Sequence, residues 1–238
     1  DKVWWVGLQD QLLNNMQQDT LTNFDKDSYV IIRGLISSDW CKTLYDYCRY
    51  SASRCELKQH NDKEKYREAW DGTFQDKQCP GNYSQYGDPL MDSMLMSHGK
   101  IFEEATGMEL APSYTYWRMY THGAVLHKHK DRPSCEISAT VCIDWDDSNC
   151  EKHCTPWPIW LKDKDGKTTA IELRQGDAMI YKGCEVEHWR ESYHGVTAAQ
   201  VFYHYTDVKG ELFNPWDGRP HGGIPHGFQR PKQEKKND

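Results

Sequence analysis

The sequence predicts a mainly β domain, a sandwich or barrel flanked by helices, and three observations carry that expectation. From Ser113 to Tyr205, short runs rich in Tyr, Trp, Val, Ile and Thr alternate with turn residues, as many short strands of one sheet system would. Two earlier segments carry helix start and stop signals. With 238 residues, 37% of them apolar, ten Trp and fourteen Tyr, the chain can bury one sizeable core. We divide it as one domain: residues 1–112 as N-terminal helical support with a long loop, 113–206 as the β core, and 207–238 as an irregular tail.

Taken in order, residues 24–36 read as a short buried strand entering a turn, with Tyr29-Val30-Ile31-Ile32 at its centre. Ser37-Ser38-Asp39 can then cap a helix running through Leu44, Tyr45 and Cys48. Residues 56–86 are polar with a Pro80-Gly81 break, and the expectation there is a long loop with little structure of its own. A second helix is better marked. Asp88 suits the N-cap, Pro89 the first helical position and Gly107 the left-handed stop, and Leu90, Met94, Leu95, Ile101, Phe102 and Ala105 approximate one apolar stripe. The clearest strands beyond it are 114–120, 137–143, 158–161, 168–173, 178–181 and 199–205. Asp163-Lys164-Asp165-Gly166-Lys167 has the Asp-Gly signal of a hairpin turn. The tail from Lys209 is rich in Gly, Pro and charge, and there are no internal repeats.

Charge and cysteine usage narrow the function classes. A formal charge of −7 offers no basic field for a phosphate backbone, which disfavours nucleic-acid binding. No run of about 18 apolar residues occurs, so no membrane span is expected. The first residues, Asp1-Lys2-Val3-Trp4-Trp5, do not form a signal peptide. Nine cysteines at irregular spacings argue against a fully paired disulfide framework and fit a reducing, cytoplasmic compartment. The densest group, Cys150, His153 and Cys154, is a weak zinc signal, and free thiols in a loop are the preferred reading.

The residues that carry chemistry begin with His129-Lys130-Asp131. On an extended segment, residues i and i+2 point to one side, so an imidazole and a carboxylate can converge on one cation. Two histidines and a carboxylate occupy one face of an octahedral Fe(II) and leave the other three positions open. His188, within Glu187-His188-Trp189-Arg190, is the candidate for the second histidine. The triplet alone is a common pattern in a chain with eleven histidines, and its surroundings give it weight. Trp117-Arg118-Met119-Tyr120 precedes it, an alternating run from Cys135 to Asp144 follows, and Gly176-Asp177-Ala178 leads into the strand before His188.

With this series of motifs, residues 114–205 resemble the 2-oxoglutarate and Fe(II)-dependent oxygenases, in particular their prolyl-4-hydroxylase-like branch. The resemblance implies a double-stranded β-helix (jelly-roll, cupin-like) core, Fe(II) held by His129, Asp131 and His188, and 2-oxoglutarate and O2 as co-substrates, with Tyr120 against the 2-oxoglutarate. It implies hydroxylation of a peptide or protein side chain, prolyl first, or of a small metabolite, with release of succinate and CO2. One departure stands out. The basic residue that grips the far carboxylate in this family falls here on Thr197, Ala198 and Ala199. A dicarboxylate buried without a cation is costly. If His188 and Arg190 share a strand, they face one side, and the guanidinium can pair the carboxylate bidentately. Arg190 is therefore the expected anchor, with Thr197 as a hydroxyl partner and Arg118 in reserve.

Arg132 and Glu136, flanking the metal motif, could meet substrate or order the loop. Trp189 could wall the site's mouth or be core. His127, on the same side as His129, could support the site or sit in solvent. Tyr203, His204 and Tyr205 alternate on the last strand, with the inner face open. Two other classes fit the same barrel: a cupin-like metalloenzyme that does not use 2-oxoglutarate, and a non-catalytic binding module. Mn, Co and Ni accept the same ligands as iron.

Overall fold

The computed structural model describes residues 17–18, 23–151, 154–163 and 165–225. Two antiparallel sheets dominate it. The larger takes β1 (Gln17–Gln18), β2 (Tyr29–Arg33), β3 (Tyr83–Tyr86), β4 (Leu110–Thr121), β6 (Ile137–Asp146), β9 (Ala178–Lys182) and β11 (Thr197–Asp207), in the spatial order β1-β2-β9-β6-β11-β4-β3. The smaller has the order β5-β10-β7-β8, from β5 (Leu126–His129), β7 (Ile159–Lys162), β8 (Thr168–Ile171) and β10 (Glu187–Arg190). From β5 onward the chain crosses back and forth between the sheets, with only the β7–β8 hairpin staying on one. That winding is the double-stranded β-helix the sequence led us to expect.

Strand alternation sorts the residues between two environments. On β4 and β11, Trp117, Met119, Ala199, Val201, Tyr203 and Tyr205 join an apolar cluster with helix residues. Their alternates Tyr114, Tyr116, Arg118, Phe202 and His204 face a cavity between the sheets. The main sheet thus has an apolar back and a polar, aromatic front.

Helices cover the back. Leu44, Cys48 and Cys55 of α2 (Ser38–Asn61) and Met91, Leu95 and Phe102 of α4 (Pro89–Thr106) are buried in that cluster. α4 is bounded as its signals predict: Asp88 Oδ1 accepts from the amides of Leu90 and Met91, and Gly107 takes the left-handed conformation at φ 71°. Ser37 caps α2 only by position, without a side-chain bond.

Four expectations need correction. Residues 56–86 are not a loose loop. The buried stripe of α2 continues through Ser51 to Cys55, so the helix runs on to Asn61. A short turn α3 (Glu68–Asp71) and edge strand β3 follow, tied by Lys58 Nζ to Asp71 at 2.6 Å and by the Tyr83 hydroxyl to the Asp71 carbonyl at 2.8 Å. Phe24–Asp27 forms a helical turn, α1, in place of strand, because Asn23 Oδ1 accepts from the Asp25 and Lys26 amides. The N-terminal part is more than helical support, since β1, β2 and β3 complete the main sheet. Finally, Cys150 and Cys154 are joined in a disulfide, while the other seven cysteines are free thiols. His153, the third member of the weak zinc group, lies outside the described residues, as does Lys164 of the hairpin turn and the charged end of the tail.

The hairpin turn itself closes between β7 and β8, with Gly166 at φ 81° and Asp163 Oδ1 accepting from the Lys167 amide. No helix among the described residues is long and apolar enough to cross a membrane.

Candidate metal centre

β5 and β10 are antiparallel neighbours, and their register sets His129 directly against His188. Asp131 follows two residues beyond His129, held by its amide's bond to the Gly183 carbonyl at 2.9 Å. A Cβ at Gly183 would lie 2.5 Å from Asp131 Oδ2 and nearer still to the Cys135 carbonyl, so only glycine lets that strand end approach the carboxylate. The metal-binding atoms of the three residues lie within 4.8 Å of one another. Asp131 Oδ1 stands 3.7 Å from His129 Nε2 and 3.5 Å from His188 Nε2.

The remaining atoms of each ligand are already engaged. His129 Nδ1 donates to the His127 carbonyl at 2.7 Å, and His188 Nδ1 donates to the Val186 carbonyl at 3.1 Å. Each bond places the proton on Nδ1 and turns the Nε2 lone pair toward the shared point, as a metal ligand requires. Asp131 Oδ2 accepts from Ser138 Oγ at 2.7 Å, and Ser138 in turn accepts from His204 Nδ1 at 2.9 Å. Oδ1 is thereby the oxygen left for a cation.

Burial dominates the electrostatics of all three side chains. Burial pushes the His188 imidazole down to about 4 and lowers His129 as well. It raises the Asp131 carboxyl above the ordinary range, although the Ser138 hydroxyl and His129 act in the opposite sense. Two neutral imidazoles and one buried carboxylate oxygen, all aimed at one point, fit a divalent cation.

A cavity of about 350 Å³ opens beside this point, lined by His129, Asp131 and Tyr181 and walled by Tyr114, Tyr116, Arg118, Phe202 and His204. Arg132 and Asp76 stand at its polar side.

The other residues singled out from sequence divide sharply. Arg190 does share β10 with His188 and is 1% exposed. Its guanidinium donates to the Trp157 carbonyl at 2.6 Å and to Gln200 Oε1 at 3.3 Å, and its Nε has no partner. Among the described residues no carboxylate pairs with it, and burial lowers its pKa. Tyr120 is buried beside it on β4, its hydroxyl accepting from Arg118 at 3.2 Å and its ring edge-on to Trp157. Arg118 is also buried, but Asp76 neutralises it.

Thr197 is not part of this group. It lies at the start of β11, where its hydroxyl is hydrogen-bonded to Tyr45 of α2, and Gln200, three residues further along and past an irregularity in the ladder, stands beside Arg190 instead. Arg132 is bound by both carboxylate oxygens of Asp217, at 3.0 and 2.6 Å. Glu136 accepts from the Asp207 amide and braces the end of β11. Trp189 faces away from the cavity, stacked on Trp160 with the Lys128 ammonium over its ring, so it does not wall the mouth. His127 serves through its carbonyl, while its ring is exposed.

Ser138, His204, Tyr181, Gln200 and Asp76 were not recognised from sequence. For Ser138 a signal existed: in Ile137-Ser138-Ala139-Thr140-Val141-Cys142, the polar positions alternate with apolar ones, which marks a polar inner face. Asp76 had none, since it reaches the cavity from a segment read as loop.

No family model matches the chain, and no curated protein sequence matches it. Its fold does match solved structures. One is HygX from Streptomyces hygroscopicus, solved with nickel and 2-oxoglutarate bound: 13% identity, covering 85% of this chain and 94% of that one, with a TM-score of 0.54. Another is SnoN, a non-haem α-ketoglutarate-dependent epimerase of nogalamycin biosynthesis: 12% identity, 92% and 96% coverage, TM-score 0.54. A third is a prolyl hydroxylase from Trichoplax adhaerens in complex with a peptide of hypoxia inducible factor: 14% identity, 88% and 95% coverage, TM-score 0.50. At these identities the likeness is one of fold.

Proposed function

We propose that this protein is an Fe(II)- and 2-oxoglutarate-dependent dioxygenase that hydroxylates its substrate. The observation that carries the reading is the pairing of two features in one barrel: a pre-oriented His129, Asp131 and His188 set, and a buried Arg190 guanidinium that no carboxylate of the described residues neutralises. A metal ion completes the first, and the far carboxylate of a dicarboxylate co-substrate completes the second. His188 and Arg190 are two residues apart on one strand, so their Cα atoms are separated by about 6–7 Å, close to the length of a five-carbon diacid. That HygX binds nickel with 2-oxoglutarate in the same fold supports this choice over a barrel that uses metal alone.

Iron held there supplies, with 2-oxoglutarate and O2, the oxidation that ends in succinate, CO2 and a hydroxylated product. The chain's own contribution is arrangement. The carbonyls of His127 and Val186 fix the imidazoles, and Ser138 fixes the carboxylate to one oxygen. Arg190 would receive the far carboxylate in the buried interior, where its bond to the Trp157 carbonyl holds the guanidinium plane. Tyr120 packs beside it, between Arg118 and Trp157. The cavity beside the triad takes the group to be oxidised. A peptide or protein side chain is our first substrate class, with prolyl leading because a fold relative binds such a peptide; a small metabolite is the second.

The test is succinate formation from 2-oxoglutarate under Fe(II), O2 and ascorbate, with proline-containing peptides and small metabolites as added substrates and product masses read for one added oxygen. Wild-type protein should release succinate, and His129→Ala should not. Equal succinate from both would dismiss the function.

A further inference from the structure

Tyr181, on β9, is buried with its ring edge-on to His188, 4.8 Å between centroids. Among the described residues its hydroxyl makes one hydrogen bond, to His188 Nε2 at 3.3 Å. Nε2 is the atom whose lone pair a metal would take, because Nδ1 is already spent on the Val186 carbonyl. The phenol and a metal therefore compete for the same lone pair. When the metal wins, the hydroxyl is left buried beside the ion without that acceptor, and an orphaned buried donor is costly. The acceptors that can arrive there are oxygens bound to the metal itself. Tyr181 also lines the cavity beside His129 and Asp131.

We infer that Tyr181 is a co-substrate-binding residue, whose hydroxyl leaves His188 on metal binding and donates to a metal-bound oxygen of the 2-oxoacid group. It contacts the end of the co-substrate opposite to that held by Arg190. The inference rests on the proposed 2-oxoglutarate reading and assigns a residue that the sequence motifs do not mark. Its partner is a 2-oxoacid, since a carboxylate or keto oxygen on the ion offers a stronger acceptor than the neutral imidazole it replaces.

The experiment is calorimetric titration of Tyr181→Phe and wild type under anaerobic conditions, first with Ni(II) and then with 2-oxoglutarate. The anaerobic visible charge-transfer band of the Fe(II)–2-oxoglutarate complex is recorded alongside. Phe fills the same space, so fold and metal site are retained, and equal melting temperatures check this. We expect unchanged or tighter Ni(II) binding, 2-oxoglutarate affinity weaker by about tenfold, the value of one hydrogen bond to a charged group, and a shifted band. Unchanged 2-oxoglutarate affinity and band would overturn the inference while leaving the function standing. A loss of Ni(II) affinity in the variant would overturn it too, by making the phenol a metal ligand. Wild type that binds Ni(II) but not 2-oxoglutarate would remove the functional reading and the inference together.

Discussion

Arg118 and Arg190 lie on facing sheets, each 1% exposed, each with an Nε that bonds to nothing, and both near Tyr120. They differ in what opposes their charge. Arg118 is bound by Asp76, which also accepts from the Tyr116 hydroxyl at 2.7 Å. Burial works against its charge, but Tyr120, Tyr116 and Asp76 outweigh it and its pKa is raised. Among the described residues Arg190 has a carbonyl, an amide and the Trp157 ring, 4.9 Å from its guanidinium carbon, in place of a carboxylate, and burial prevails. The first is a closed ion pair that builds the wall, and the second is a buried charge with no carboxylate partner among the described residues. In the proposed function, what separates the structural arginine from the co-substrate-binding one is the resident counter-charge and not position in the barrel.

The largest effect should come from opening the closed pair. Asp76→Ala strands a buried guanidinium with Gln78 and Tyr120 as its remaining side-chain partners, which should cost about 3–5 kcal/mol of stability in denaturant titrations. Replacing both members, Asp76→Ala with Arg118→Met, should restore most of the loss. A single-variant cost below about 1 kcal/mol would show that Arg118 never depended on Asp76 and that the two arginines are alike.

Arg190→Gln makes the opposite demand. Without ligand, the variant should be as stable as wild type or more so, because a buried charge without a counter-ion is relieved. Its affinity for 2-oxoglutarate should fall by about 100-fold, within the range for removing one partner of a buried charged pair. In thermal melts, 2-oxoglutarate with Ni(II) should raise the wild-type midpoint and leave that of Arg190→Gln close to its Ni(II)-only value. Should Arg118→Gln lose 2-oxoglutarate while Arg190→Gln keeps it, the roles assigned above are exchanged.

The sequence carried this contrast only in part. The triad was legible because its two-residue spacing and the strand texture around His188 are local patterns, and the pairing of β5 with β10 merely joins them. The place of Arg190 on the strand of His188 was legible by the same periodicity, and its proposed role came from the absence of charge at Thr197, Ala198 and Ala199. Its partner was misassigned to Thr197, because which β11 residue faces Arg190 depends on the register between sheets, and Gln200 wins. The inner face of Tyr203-His204-Tyr205 stayed open for the same reason; the structure turns His204 to Ser138 and both tyrosines to the helices. Asp76 was beyond reach, since it acts through contacts with residues some forty positions away. Residues 56–86 looked like loop because their stabilising bonds, such as Lys58 to Asp71, are polar and leave little apolar periodicity.

Asp131 extends the comparison to a carboxylate, with a smaller effect. Asp217 resembles Arg118 in being answered: burial would raise it, but Arg132, Ser134 and Tyr86 bring it down to about 2. Asp131 is left raised, as Arg190 is left lowered, each shifted toward its neutral form by burial. In the metal-free protein a proton therefore stays on Asp131 to higher pH than on an ordinary aspartate, and metal must displace it. The histidines act differently: their imidazoles are held below the ordinary value, His188 at about 4, so they stay neutral and compete little until the pH is lower still. Ni(II) affinity should accordingly be flat at high pH and fall as the pH drops through the raised Asp131 value, by about tenfold per pH unit, with one proton released per ion. Calorimetry in buffers of different ionisation enthalpy measures that proton. Two or three protons released from near pH 6.5 downward would mean that ordinary histidines, and not one buried carboxyl, control the site.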